Sequence, residues 1–237
     1  MRSMVITGVS RGLGAALFDE AYRRGDRILA VGRSWTPAQR ELAATRPDRV
    51  RLRAADLTEP ASQPDAGELR DFLGAGTAGC VLIHNAAVVG PIGAIGALPP
   101  DELAASFAVN LAAPAVLTNA FLAAAPPGPR HILFVSSSAA RRVIGGWSAY
   151  CATKAGAEMF FRVLAEQYAG DPSVRVACVD PGQMATGMQE EIRRAGRDEV
   201  YFPQRQHWRD SFEQGRLQPA GEVARSILHG LDGPTGQ

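Results

Sequence analysis

Short apolar runs alternate with longer stretches in which apolar residues recur every three or four positions. The runs at Ser3 to Thr7, Arg27 to Gly32, Val50 to Ala54, Gly79 to His84, His131 to Ser136 and Val174 to Asp180 predict six strands. The longer periods predict helices at Leu13 to Arg24, Ala66 to Leu73, Asp101 to Ala125, Ser148 to Ala169 and near Gly221 to Leu231. Trp35 to Arg46 is short for a crossover helix and predicts only a turn or two. Strands that are apolar almost throughout must be covered on both faces, so the alternation predicts an α/β fold with a doubly wound parallel sheet. Asp101, behind Pro99-Pro100, is the expected N-cap of the long helix, and Pro126-Pro127-Gly128-Pro129 stops it. No Gly/Ser linker divides the chain, so residues 1–237 are read as one domain. From 183 to 218 the pattern weakens into apolar residues with exposed spacing, Met184, Met188, Phe202, Trp208 and Phe212, where a substrate lid is expected.

Composition narrows the function classes. A formal net charge of +1, with arginines spread along the chain, gives no reason to expect nucleic acid or an anionic membrane as partner. The Ala-rich stretch from Leu103 to Ala125 carries Asn110, Pro114 and Asn119, so no membrane span is expected. The first strand pattern begins almost at Met1, leaving no room for a secretory leader, and a cytoplasmic location is expected. Cys80, Cys151 and Cys178 lack metal-ligand spacing and are expected as free thiols. The four histidines are scattered, and no metal site is expected.

The first strand runs into Thr7-Gly8-Val9-Ser10-Arg11-Gly12-Leu13-Gly14 and then a helix. A glycine turn between strand and helix suits a dinucleotide pyrophosphate. Gly8 permits the turn, Gly12 a close backbone approach and Gly14 helix-on-strand packing, while the helix N-terminus offers free N–H groups. This makes the sheet Rossmann-type. At the end of the second strand a free ribose hydroxyl calls for an acid, whereas a 2'-phosphate calls for a cation. Val31-Gly32-Arg33-Ser34 supplies arginine, with Arg11 a second candidate in the turn, so NADP(H) is favoured over NAD(H). An ordinary solvated surface arginine is the alternative reading of Arg33.

One lysine stands out. Lys154 is the only lysine among 25 Lys+Arg residues, and Tyr150 precedes it by four positions. A surface cation would tolerate arginine, as it does elsewhere in this chain, whereas a compact ammonium beside a phenol would not. On a helix the two side chains share one face, an arrangement for an acid and the cation that tunes it.

Together these features resemble the short-chain dehydrogenase/reductase family through nearly the whole chain. Thr7-Gly8-x-x-x-Gly12-x-Gly14 matches its coenzyme turn and Asp56-Leu57 the pair that holds the adenine. His84-Asn85-Ala86-Ala87 resembles its Asn-Asn-Ala-Gly segment, and Asn110 its helix asparagine. Ser137 lies thirteen residues before Tyr150, with Ser136 and Ser138 leaving the assignment open by one place. Pro181-Gly182 with Thr186 resembles the segment that grips nicotinamide and pyrophosphate. The resemblance implies Asn110, Ser137, Tyr150 and Lys154 as the catalytic set. It implies coenzyme contacts at Gly8, Ser10, Arg11, Gly12, Leu13, Gly14, Arg33, Asp56, Leu57, Asn85, Ala86, Tyr150, Lys154, Pro181, Gly182, Met184 and Thr186. Tyr150 would donate the proton, Lys154 and the positive nicotinamide would lower its pKa, and Lys154 would hold the ribose. Ser137 would bind the substrate oxygen, and Asn110 would hold a water that resupplies the proton.

The chain departs from the family in having Ala87 for glycine and Ala140 after the serine, and in showing no seventh strand. Gly146 to Gly156 and the Thr186 to Gln189 segment most resemble bacterial benzil reductases, which are similar to sepiapterin reductases. This implies an NADPH-dependent reductase of vicinal dicarbonyls. Val88, Val89, Ile144, Trp147 and Met188 are the candidate substrate wall, each with core packing as its alternative. A 3-oxoacyl-thioester reductase, an alcohol dehydrogenase and a non-catalytic dinucleotide sensor remain alternatives. A homodimer, possibly a homotetramer, is implied through the long helices.

Overall fold

The structure is a computed structural model that describes residues 1–74, 77–194, 210 and 213–232. Among the described residues six strands form one parallel sheet: β1 (Ser3–Thr7), β2 (Arg27–Gly32), β3 (Val50–Ala54), β4 (Cys80–His84), β5 (Arg130–Val135) and β6 (Val174–Val179), in the order β3-β2-β1-β4-β5-β6. The helices are α1 (Gly12–Arg23), α2 (Pro37–Thr45), α3 (Ala66–Leu73), α4 (Pro100–Phe107), α5 (Ala113–Ala124), α6 (Ser148–Gln167), α7 (Gly187–Arg194) and α8 (Ala220–Gly230).

Strand alternation builds two cores. Met4, Ile6, Ile28, Ala30, Val81, Ile83, Leu133 and Val135 point to one face and meet Leu17 and Phe18 of α1 and Val223 and Leu228 of α8. Val5, Leu29, Val31, Leu82, Ile132 and Phe134 point to the other and meet Leu69 and Phe72 of α3, Leu117 and Phe121 of α5, and Phe161 of α6. Each fully buried Leu or Phe stabilises the fold by about 1.5–3 kcal/mol.

Three details differ from expectation. α2 is a full helix, because Thr36 and Gln39 cap it reciprocally behind Pro37. The long helix starts at Pro100 with Pro99 at the cap, so Asp101 lies in its first turn. Pro100–Ala124 is also long and apolar enough to cross a membrane, contrary to expectation, yet Leu117, Phe121 and Ala124 pack it into the second core. Cys80, Cys151 and Cys178 are free.

The register brings the strand ends level. Thr7 pairs with Val31, Gly32 with Ala54, His84 with Phe134, and Val135 with Val179. The next residues along the chain, Gly8, Arg33, Asn85, Ser136 and Asp180, therefore crowd one edge of the sheet. That edge lies where the strand order reverses between β1 and β4, the place where such sheets bind ligands.

Candidate active site

A cleft of about 680 Å³ opens along this edge. Gly8, Ser10, Arg11, Gly12, Leu13, Gly14, Arg33, Asp56, Leu57, Asn85, Ala86, Val88, Ser137, Trp147, Tyr150, Lys154, Pro181, Gly182, Met184, Thr186 and Met188 all line it. Three expected residues do not. Asn110, Ile144 and Val89 are buried behind the wall, Ile144 and Val89 packed against Trp147 and Tyr150.

The glycine turn fits a pyrophosphate. Gly8 and Gly12 have φ of +72° and +56°. A Cβ on Gly8 would lie 2.8 Å from Ala86 Cα, and one on Gly14 would lie 2.0 Å from Gly8 O and 2.4 Å from Asn85 Nδ2. Asn85 braces the turn from β4: its Nδ2 donates to Thr7 O at 3.0 Å and Gly8 O at 2.9 Å. Its N–H and that of Ala86 donate to Thr7 Oγ1. Gln39 Nε2 donates to Val9 O at 2.9 Å from the other side. Arg11 has no side-chain capping bond to α1, so the first-turn N–H groups face the cleft.

Just beyond β2, the Arg33 side chain is 74% exposed, 4.0 Å from Asp56 Oδ2. Hydrogen bonds from Thr58 hold the Asp56 carboxyl below its usual range. Arg11 leans the other way, its Nη1 3.5 Å from the Cβ position of Gly187 at the start of α7.

The reacting end lies on α6. Tyr150 and Lys154 share its buried face, 5% and 2% exposed. Lys154 Nζ donates to Val135 O at 2.8 Å and sits 4.6 Å from the Phe134 ring centroid. Ser137 acts on the Tyr150 phenol, and it caps the next turn by accepting from Ala139 N. Ser136 instead donates to Glu158 Oε1 at 2.6 Å. Of the three adjacent serines, Ser137 is thus the one that acts on the phenol.

Burial pushes Tyr150 up to about 12, opposed by the Ser137 hydrogen bond, and Lys154 down to about 8, opposed by Asp180, Cys178 and Glu158. The sequence expectation that Lys154 lowers the phenol's pKa is therefore not met by the side chains alone. Desolvation dominates, and Nζ lies 5.7 Å from the Tyr150 ring centroid, turned to the Val135 carbonyl.

Asn110 lies behind the cleft wall. It sits in a π-helical segment, Ala108–Ala112, that widens the long helix. Its Oδ1 accepts from Val88 N at 2.9 Å, and its Nδ2 donates to Val88 O at 2.8 Å and toward Thr153 Oγ1 at 3.2 Å. The side chain fixes the backbone of a wall residue, Val88.

The wall itself is Val88, Trp147, Met188 and Ile192. Trp147 is 2% exposed and meets Tyr150 edge-on, with centroids 5.4 Å apart at 87°. It supports the phenol ring as much as it lines the cleft. Arg141, in the loop between β5 and α6, is turned to Glu158 and Asp180. Phe202, Trp208 and Phe212 lie outside the described residues. Sequence reasoning missed Asp180, Gln189 and Ile192, which also line the cleft. Of these, Asp180 carried a signal as the acid just beyond β6 and ahead of Pro181-Gly182, and Gln189 as the last residue of the Thr186 to Gln189 segment.

Comparison with known proteins gives the same picture. The short chain dehydrogenase family model matches residues 2–197. The chain is 32% identical over 236 residues to benzil reductase ((S)-benzoin forming) of Bacillus subtilis (strain 168), covering 98% of this chain and 94% of that one. It is 34% identical over 239 residues to sepiapterin reductase of Mus musculus, covering 94% and 89%. A short-chain dehydrogenase/reductase from Burkholderia vietnamiensis matches in three dimensions with a TM-score of 0.67 and 38% identity, over 76% of this chain and 84% of that one. With the glycine turn, the Tyr150–Lys154 pair and the sheet order on one edge, this chain belongs to the short-chain dehydrogenase/reductase family of nicotinamide-dinucleotide oxidoreductases.

Proposed function

We propose that the chain is an NADPH-dependent carbonyl reductase that acts on a vicinal dicarbonyl, with Tyr150 as proton donor. The observation that carries this reading is the buried Tyr150, Ser137 and Lys154 cluster opening on the same cleft as the glycine turn. The nicotinamide supplies hydride to the carbonyl carbon when bound. Gly8, Gly12 and Gly14 admit the pyrophosphate, with Ser10, Leu13, Asn85, Ala86, Pro181, Gly182, Met184 and Thr186 around the rest of the coenzyme. Asp56 and Leu57, which line the same cleft, would flank the adenine. Ser137 donates to the substrate oxygen as negative charge grows there, and Tyr150 delivers the proton. A phenol held at about 12 is fully protonated at neutral pH, the form that reduction consumes.

Two observations favour the dicarbonyl class. The relatives named above are benzil and sepiapterin reductases. Val88, Trp147, Met188 and Ile192 give the cleft an apolar wall.

Arg33 is the residue proposed at the 2'-phosphate, since its guanidinium is exposed at the adenosine end while Arg11 leans toward α7. Arg33→Asp is expected to weaken NADPH about a hundredfold and NADH about threefold or less. Equal losses in coenzyme titrations would remove Arg33 from the phosphate.

We also propose a homodimer. Phe107, Val116, Met159 and Val163 on the adjoining helices α4, α5 and α6 are 39–60% exposed, an apolar surface that a two-fold partner would cover. Light scattering should give twice the chain mass; a monomer at all working concentrations would contradict this.

A further inference from the structure

Tyr150, Lys154 and Glu158 occupy every fourth position of α6, so a phenol, an ammonium and a carboxylate stand one above another on its buried face. The proposed reaction uses the first two and leaves Glu158 without a part. The Glu158 side chain is 5% exposed, and a carboxylate is costly there unless its oxygens are engaged. Ser136 Oγ donates to Oε1 at 2.6 Å, and Arg141 Nη1 lies 3.2 Å from Oε1 and 3.4 Å from Oε2. Arg162, one turn on, lies 3.4 Å from Oε2. Both arginines are more than half exposed, so the network runs from solvent to Ser136 in the cleft wall.

Ser136 is the middle of a tripeptide whose two neighbours touch the reacting pair. The Val135 carbonyl accepts from Lys154, and the Ser137 hydroxyl acts on the Tyr150 phenol. The Ser136–Glu158 bond therefore pins the end of β5 to α6 at the level where both contacts are made. On the other side Ser136 N donates to Val179 O of β6 at 2.7 Å.

We propose that Glu158 is a positioning residue for the Tyr150–Lys154 pair: through Ser136 it fixes Val135 and Ser137 against α6, and through its charge it favours the ammonium form of Lys154. Facing Lys154 are Tyr150 and Glu158 on α6, Cys178 on β6, Asp180 just beyond β6, and His84 on β4. Facing Glu158 are Ser136, Arg141, Arg162 and Cys178. Asp180 acts on the ammonium more strongly than Glu158 does, so the pin is the larger part of the role. Only the kinetic arm of the test rests on the carbonyl-reductase reading.

Because Lys154 is the sole lysine, protein labelled with ε-13C lysine gives one lysine resonance, and its titration needs no assignment. The wild-type midpoint is expected near 8. Glu158→Gln keeps an acceptor for Ser136 but loses the charge, and its midpoint should fall by about half a unit to one unit. Ser136→Ala keeps the charge but loses the pin. Its midpoint should stay within about 0.3 units of wild type, while kcat drops about tenfold with coenzyme affinity unchanged. Glu158→Ala should show both effects, and Glu158→Ala with Ser136→Ala should lower kcat no further than Glu158→Ala alone. An unchanged midpoint in Glu158→Gln would overturn the charge role. Full kcat in Ser136→Ala, or losses of kcat in step with coenzyme affinity and melting temperature, would overturn the pin. If the wild type turned over no carbonyl, the proposed function would fail while the titration still decided the charge role.

Discussion

Replacing Lys154 with arginine is expected to lower kcat for carbonyl reduction by about a thousandfold, in the range that loss of a general-acid system produces. The slot explains why. Lys154 is 2% exposed, packed over Phe134, and directs its single terminal nitrogen at the Val135 carbonyl. A guanidinium is longer and planar and carries five donors, most of which would lie buried without acceptors. It also cannot shed a proton near neutrality, whereas burial has brought the ammonium down to about 8. Overpacking should cost about 1–3 kcal/mol of stability, small enough for the sheet to survive, which circular dichroism would check. A variant that kept near wild-type kcat would refute the argument that this position excludes arginine.

Gly14→Ala is expected to lower coenzyme affinity by at least about a hundredfold and to destabilise the fold by about 3 kcal/mol. The added Cβ would fall 2.0 Å from Gly8 O and 2.4 Å from Asn85 Nδ2, and neither can yield. Gly8 O is backbone of the phosphate turn, and Asn85 is fixed by its bonds to Thr7 and Gly8. α1 would have to lift away, taking its N–H groups with it. Thermal unfolding beside a coenzyme titration measures both effects, and wild-type affinity would contradict the cradle.

The sheet was legible because its central strands β1, β2, β4 and β5 are largely apolar on both faces and the crossover helices keep a helical period, which leaves few arrangements open. α2 was underestimated although its signal was present: Thr36-Pro37-Ala38-Gln39 spells a capping box behind proline, in a helix whose buried face is too narrow to show as periodicity. The glycine turn and the Tyr150–Lys154 pair were legible because their chemistry is local in sequence. Contacts between distant segments were not. The role of Asn110 depends on Val88, brought beside it by the fold, and the choice among Ser136, Ser137 and Ser138 depends on Glu158 engaging the first. Ile144 was placed on the wall because a residue's direction in the loop before α6 cannot be read from spacing; it packs behind Trp147. Glu158 was visible as the fourth residue after Lys154, yet a carboxylate on a helix is ordinarily a solvated face, and only its burial makes it notable.

The central claim is that the Tyr150 cluster reduces a carbonyl with hydride from NADPH bound across the glycine turn. Its most direct test follows the nicotinamide absorbance with a vicinal diketone, identifies the product, and compares wild type with Tyr150→Phe. The account predicts one hydroxyketone formed per NADPH consumed. It also predicts a rate at least about a hundredfold lower in Tyr150→Phe at equal coenzyme affinity. NADPH binding without turnover of any carbonyl, or an undiminished rate in Tyr150→Phe, would contradict it.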